Sequence, residues 1–376
     1  MLWLAAALAV QQPAWTSLTR QFDQYATGDS IVGASIMLVD RGRPVATHHF
    51  GFADRANGVR TDDRTIYHWA SITKTLTAVG VMQLRDRGLL TLDDPVTRWV
   101  PEVRQLHNPF GSTDAVTIRM LLGHSSGFRN GTWPWGQGRS WEPFEPTRWE
   151  QLVAMMPYQE VLFAPDSRYG YSNPGFIYLA RVMESLTGDA WQSYIYKNVW
   201  GPLGISGSYF AATPWHLTAH RSNNYTVRAD SATRGERVID NGRDFDPGIT
   251  IPNGGWNAPL GDLAKWLGFL ANSPGSERVL ARGSLEELWR SRFPVSGYNA
   301  GADSMALSFF IYGSTGERLI GHTGDQAGFR SFFLLNPRTG RAVVAAFNTS
   351  NEARGSASDR GFREIQAAAM RVLRDR

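Results

Sequence analysis

The spacing of apolar residues changes period along this chain, and the changes predict its elements. Residues 31–39 are mostly apolar, Asp40-Arg41-Gly42-Arg43-Pro44 interrupts them, and residues 45–52 resume the pattern, which predicts two strands around a turn. Between residues 71 and 88, Ile72, Leu76, Val79, Met82 and Leu84 recur at helical spacing, and Gly88 ends the run. A second helix is predicted from Pro174 or Gly175 to Leu186. Proline suits its first turn, where no N–H is needed, and Thr187-Gly188 closes it. Residues 260–270 and 285–289 read as shorter helices. The last quarter returns to strands over 305–312, 318–321, 329–336 and 342–348, with Asn336-Pro337-Arg338-Thr339-Gly340 as a turn. A final helix over 359–373 sets Phe362, Ile365, Ala369 and Val372 on one side. Strands near both ends with helices between them predict an α+β fold: an antiparallel sheet built from both termini, flanked by helices, with an inserted, mostly helical lobe. The sheet region is expected at 14–70 and 298–376 and the helical region at 71–297, together forming one unit. Residues 129–149 form a Trp/Pro/Gly-rich loop with Trp133, Trp135, Trp141, Phe144 and Trp149, either pinned to the body by its aromatics or facing a substrate as a lid.

Composition narrows the function. The 376 residues are 42% hydrophobic and 19% charged, which fits a folded globular chain. A net charge of +4, with no Lys/Arg run, argues against nucleic acid as a partner. Without cysteine there is no disulfide, thiolate nucleophile or thiolate metal site. No His/Asp/Glu set has metal spacing, and no glycine loop cradles phosphate, so no metal and no cofactor is expected. Residues 1–13 begin with the apolar run Leu2 to Val10, too short to span a bilayer as a helix. With Ala7-Leu8-Ala9 as a small-residue cleavage site, the segment is read as an export signal or N-terminal anchor, although a basic n-region is missing. Export to a periplasmic or extracellular location follows, with membrane proximity through that segment only. The alternative is a buried N-terminal helix.

Lysine is scarce. Of 38 cationic residues only Lys74, Lys197 and Lys265 are lysines. Arginine keeps its proton in proteins, whereas a buried lysine can lose one and act as a base. Lys74 follows Ser71 by three residues in Ser71-Ile72-Thr73-Lys74, and on a helix the two share a face, as a nucleophile and its base require. The bland alternative is a capping serine and an exposed lysine. Tyr171-Ser172-Asn173 stands just before the helix at Pro174, where a phenol can project into a cleft. An amide two residues on points the same way if the backbone is extended. His322-Thr323-Gly324 is read as the start of the strand running into 329–335, with Gly324 allowing close approach of a ligand to the backbone.

In this order, with Tyr67-His68-Trp69-Ala70 before Ser71, Leu121 to Phe128, Phe163-Ala164-Pro165-Asp166 and Pro202-Leu203-Gly204-Ile205, the chain resembles the serine β-lactamase and penicillin-binding-protein superfamily. The likeness is to its class C-like branch of esterases and D-peptidases, from about residue 20 onward. That resemblance implies a β-lactamase/transpeptidase-like fold and hydrolysis through an acyl-enzyme. It implies Ser71 as nucleophile, Lys74 and Tyr171 as the pair that removes and passes on its proton, and Asn173 on substrate or on Lys74. It also implies an oxyanion hole from the N–H groups of Ser71 and Asp325. Either Lys74 or Tyr171 can be the base. Ordinary pKa values of about 10.4 and 10 are too high for that role, so the fold must favour the deprotonated form of one of them.

The chain departs from β-lactamases at His322, where they carry lysine. An imidazole near its ordinary pKa of about 6.5 attracts a substrate carboxylate less than a fixed ammonium does. The expected reaction is therefore hydrolysis of a small ester, amide or short peptide, esterase-like or D-peptidase-like. A β-lactamase or D-alanyl carboxypeptidase is the first alternative, and a non-catalytic binding protein on the same scaffold the second. Asp325 should disfavour anionic substrates unless Arg330 neutralises it. His124 is read as a structural support, and His48, His49 and His68 as strand or loop residues.

Overall fold

The computed structural model describes residues 2–132, 146–295, 301–313 and 317–374, with side chains from Pro13 onward. Among these, nine strands form one sheet. Their order is Val59–Arg60, Arg43–Asp54, Gly33–Asp40, Arg341–Phe347, Phe329–Asn336, Leu319–Gln326, Phe310–Tyr312, Ser304–Met305 and Phe293–Pro294. Gly33–Asp40 pairs antiparallel with Arg341–Phe347, Ala34 opposite Phe347 and Asp40 opposite Arg341, so the two ends of the chain meet in mid-sheet as expected.

Alternation along these strands builds two cores. In Phe329–Asn336, Phe332 and Leu334 face one side with Ile36, Leu38, Val343 and Ala345. They meet Leu18 and Phe22 of the N-terminal helix Leu2–Gly28 and Phe362 and Ile365 of the C-terminal helix Ser356–Arg374. Phe333 and Leu335 face the other side with Met37, Val39, Val344 and Ala346, against Leu263, Trp266 and Leu267 of the helix Leu260–Leu270 and the helical region. Covered on both faces, the central strands read as nearly continuous apolar runs (Phe329–Asn336 is buried throughout).

Within the helical region, Thr73–Asp86 is buried from Thr73 through Leu84. A helix enclosed on all sides must satisfy its polar groups internally. Thr73 Oγ1 donates to Ala70 O, Thr75 Oγ1 to Ile72 O and Thr77 Oγ1 to Pro252 O, at 2.6–2.7 Å. The helix Pro174–Thr187 lies against it, closely enough that a Cβ on Gly80 would sit 2.5 Å from Met183 Cε. A three-stranded sheet of Ile66–Ala70, Trp256–Pro259 and Tyr209–Phe210 feeds the chain into Ser71, and a third sheet joins Tyr225–Asp230 to Gly235–Asp240 and Thr349–Asn351.

Three details differ from the sequence reading. Residues 305–312 form two short paired strands, because the chain turns over at Ser308 with φ +67°. His322-Thr323-Gly324 lies inside the strand Leu319–Gln326, and the turn falls later, at Ala327-Gly328. Trp149 opens a helix, Trp149–Met155, while Trp133, Trp135, Trp141 and Phe144 lie outside the described residues.

Candidate active site

Ser71 sits just ahead of the first turn of Thr73–Asp86, and Lys74 is one turn further on. Lys74 Nζ lies 3.0 Å from Ser71 Oγ and donates to Asn253 O at 2.8 Å. Its side chain is fully buried. No ion pair reaches it among the described residues, and burial alone pulls the amine well below the ordinary lysine range. A neutral amine there has a lone pair to take the serine proton. The i, i+3 spacing therefore delivers the pair it predicted, with Asn253 as an acceptor that sequence reasoning missed. Its only trace in the sequence is the turn-rich Ile251-Pro252-Asn253-Gly254-Gly255.

Tyr171 joins from the segment before Pro174–Thr187, its ring centroid 5.0 Å from Lys74 Nζ. His124 stacks on that ring at 4.2 Å, held by the backbone N–H of Ser172, which donates to His124 Nδ1 at 3.0 Å. This leaves the imidazole proton on Nε2, and burial, with Lys74 and His322 nearby, keeps the ring neutral. The structural reading of His124 thus acquires a target: it supports the tyrosine.

Asn173 is placed differently from the sequence reading. Its backbone is helical (φ −74°, ψ −46°), not extended. Its Oδ1 accepts from Asn253 Nδ2 at 3.3 Å and its Nδ2 donates to Asn130 Oδ1 at 3.2 Å. It therefore reaches Lys74 through Asn253.

His322 forms the far wall. Its ring is 6.5 Å from that of Tyr171 and 5.0 Å from that of Phe310. Nδ1 donates to Thr323 O at 2.6 Å, leaving Nε2 as a buried acceptor with no partner among the described residues. The expected partial charge is corrected. Burial first, and Lys74 second, push the pKa down to about 3, so this imidazole is neutral at physiological pH. At Gly324, a Cβ would collide with Trp69 O and Ser331 Oγ, which explains the glycine: the strand Leu319–Gln326 lies directly on the chain entering Ser71. Thr323 and Gly324 line a cavity with Asp325, Arg330, Asp359 and Gln366 against the C-terminal helix. Asp325 is exposed, and Arg330 Nε stands 3.5 Å from its carboxylate while Nη2 holds Asp359 at 2.8 Å. The neutralising cation anticipated for Asp325 is therefore present, shared with a second carboxylate.

Past Gly321, the strand Leu319–Gln326 has no paired neighbour on one side among the described residues, since Phe310–Tyr312 pairs only with residues 319–321. His322 to Gln326 thus border the site as an open edge, paired on the other side with residues 329–333. Among the described residues, no group of three or more His, Cys, Asp or Glu could hold a metal, and no helix is long and apolar enough to cross a membrane.

The chain is 26% identical over 322 residues to Protein flp of Staphylococcus aureus, covering 86% of this chain and 60% of that one, so it spans about three-fifths of the curated relatives it matches. Its fold is similar to an octameric penicillin-binding protein homologue from Pyrococcus abyssi (TM-score 0.77, 25% identity, 95% of this chain and 76% of the other). It is also similar to a D-stereospecific amidohydrolase from Streptomyces sp. (TM-score 0.72, 25% identity, 91% and 96%). With the Beta-lactamase family pattern matching residues 18–368 and the resemblance of its motifs carried into one cleft, the chain belongs to the Beta-lactamase family.

Proposed function

We propose that this chain is a serine hydrolase that acylates Ser71 with a small ester or amide and then hydrolyses the acyl-enzyme. The observation that carries this reading is the fully buried Lys74 amine 3.0 Å from Ser71 Oγ, its pKa pulled well below the ordinary lysine range by burial. As the hydroxyl attacks a carbonyl carbon, its proton moves to Nζ, while the backbone N–H groups of Ser71 and Asp325 receive the oxyanion. Preorganised donors of this kind are typically worth about 2.7–4 kcal/mol each. The proton then passes by way of Tyr171 to the departing amine or alcohol, and water enters by the reverse sequence. Assigning the base to Lys74 leaves Tyr171 a protonated phenol that relays, which fits a ring set between the amine and the neutral His322.

The substrate reading rests on charge. His322 supplies no ammonium, and the Arg330 guanidinium beside Asp325 is shared with Asp359, so a ligand carboxylate finds little attraction. An amide or ester whose acyl part is neutral or carries an amine fits better than a penicillin, in line with the D-stereospecific amidohydrolase similarity. Intact-mass spectrometry after exposure to esters, D-amino-acid amides and β-lactams tests this, with peptide mapping to locate the adduct. An adduct on Ser71 from esters or amides supports the proposal. Labelling by penicillins alone moves the assignment to a D-alanyl carboxypeptidase or β-lactamase. No reaction with a fluorophosphonate leaves a binding protein on a catalytic scaffold.

A further inference from the structure

The two backbone N–H groups assigned to the oxyanion hole come from segments 254 residues apart in sequence, and one of those segments is the open edge described above. Among the described residues, 322–326 are held by strand pairing on one side only. Something else must fix how far Asp325 stands from Ser71.

His68 lies three residues before Ser71, is 1% exposed, and uses both ring nitrogens. Nδ1 is 2.9 Å from the side-chain amide of Asn257, and Nε2 is 3.1 Å from that of Gln326, the residue after Asp325. Phe245 meets the ring edge-on at 4.8 Å and Phe329 lies at 5.9 Å, so the imidazole is wedged between them. Burial first, then the buried Arg221, lower its pKa to about 4, so it carries one proton at neutral pH and can donate to one amide only. Asn257 Nδ2 faces the carbonyls of Gly255 (3.3 Å) and Tyr209 (3.5 Å), which turns its oxygen to Nδ1 and puts the proton there. Nε2 is then an acceptor, and the Gln326 amide must present its NH2 to it, a half-turn that exchanges two atoms of nearly equal size. The same amide end lies against Gly254, where a Cβ would be 2.6 Å from the atom that faces His68. The next residue back is Asn253, whose carbonyl accepts from Lys74. One glutamine therefore touches the strand that leads into the serine, ends the strand that carries the second oxyanion donor, and abuts the turn that holds the amine.

We propose that His68 and Gln326 are positioning residues that set the separation of the Ser71 and Asp325 N–H groups and hence the fit of the oxyanion hole. This rests on the hydrolase reading above and adds to it a strap outside the reacting groups. Oxyanion donors act at about 2.7–3.1 Å, and a displacement of about 1 Å can cost about 100-fold.

The test uses the full chain and two variants, Gln326→Leu and Gln326→Glu. Each is assayed by the rate of Ser71 modification with a fluorophosphonate and by turnover of a p-nitrophenyl ester. Gln326→Leu is expected to lower kcat and the phosphonylation rate by between about tenfold and about 100-fold, with KM within about twofold and a thermal midpoint lowered only as far as one buried acceptor left unpaired accounts for. A carboxylate at 326 accepts only, so it holds His68 through a proton on Nε2. Relative to wild type at the same pH, Gln326→Glu should therefore be nearly as fast at low pH and fall behind as that proton leaves, a basic limb absent from wild type. If Gln326→Leu does not fold, that limb decides the matter alone. Wild type labelled at Ser71, with both variants as fast as wild type or with a Gln326→Glu rate parallel to wild type at every pH, overturns the strap and leaves the hydrolase reading intact. Wild type that takes no phosphonate at Ser71 overturns both.

Discussion

Replacing Lys74 with methionine tests the proton chemistry without any substrate. The amine is fully buried, and burial alone lowers its pKa well below the ordinary value. In the unfolded chain it keeps its proton up to about pH 10.4. Between the folded pKa and that value, the unfolded state binds one proton more than the folded state. Wild type therefore loses stability as pH falls, by about 1.4 kcal/mol per pH unit, and the loss stops below the folded pKa. Methionine has a similar length and no proton to exchange. Its own penalty is the loss of a donor to Asn253 O, about 1–3 kcal/mol for a buried group left unsatisfied, and that does not vary with pH. The stability difference between variant and wild type should thus move in the variant's favour with that slope from about pH 10 downward, then level at the folded pKa. Urea denaturation followed by tryptophan fluorescence at half-unit steps of pH reads this directly, because every other titrating group is common to both proteins. A difference that stays flat from pH 10 to 7 would mean that the amine is protonated in the fold. The serine would then have lost its base.

The same titration should govern activity: kcat/KM ought to fall as pH drops through the folded pKa of Lys74, at the pH where the stability difference levels, and an acid limb elsewhere would separate the two. Tyr171→Phe keeps the ring on His124 and removes the hydroxyl, so kcat should drop by about 10²–10⁴-fold with little change in thermal midpoint; near-normal turnover would remove the tyrosine from the relay. Asp325→Asn should raise turnover of carboxylate-bearing substrates over amine-bearing ones by no more than about fivefold, since an exposed charge already facing Arg330 is worth up to about 1 kcal/mol; an unchanged preference would show that the carboxylate plays no part in selection. Gly324→Ala should lower both the thermal midpoint and the Ser71 labelling rate, because the added methyl must push the strand off Trp69 O; normal labelling would mean that the close strand approach is dispensable.

How legible the site was depended on how local each contact is. Ser71 and Lys74 could be paired from spacing because a helix fixes i, i+3 neighbours whatever the fold does elsewhere. The two central strands at 33–40 and 341–347 were readable as apolar runs because both faces of the sheet are covered. The hairpin of Tyr225–Asp230 and Gly235–Asp240 was not, since its second strand is exposed or half-buried throughout and carries no apolar alternation. Tyr171 and the His322 triplet were singled out by their places at a helix start and a strand, but their roles came by resemblance, because nothing in their own neighbourhoods distinguishes a cleft residue from a core one.

The charge state of His322 shows what pattern alone leaves out. A strand predicts which side a residue faces, and here both sides are interior: Phe310 lies near the ring, and the Lys74 amine is close enough to act on its charge. An ordinary imidazole pKa was therefore the wrong starting point, and the correction strengthens the functional argument that used it. A half-charged histidine would have retained some pull on a carboxylate. A neutral one retains none, and its free Nε2 accepts a proton donor instead. The lysine-to-histidine change thus alters the site in kind. Where β-lactamases carry a lysine, this chain places a neutral acceptor, and the buried Lys74 amine, its pKa pulled down by burial, is the group proposed to take the serine proton.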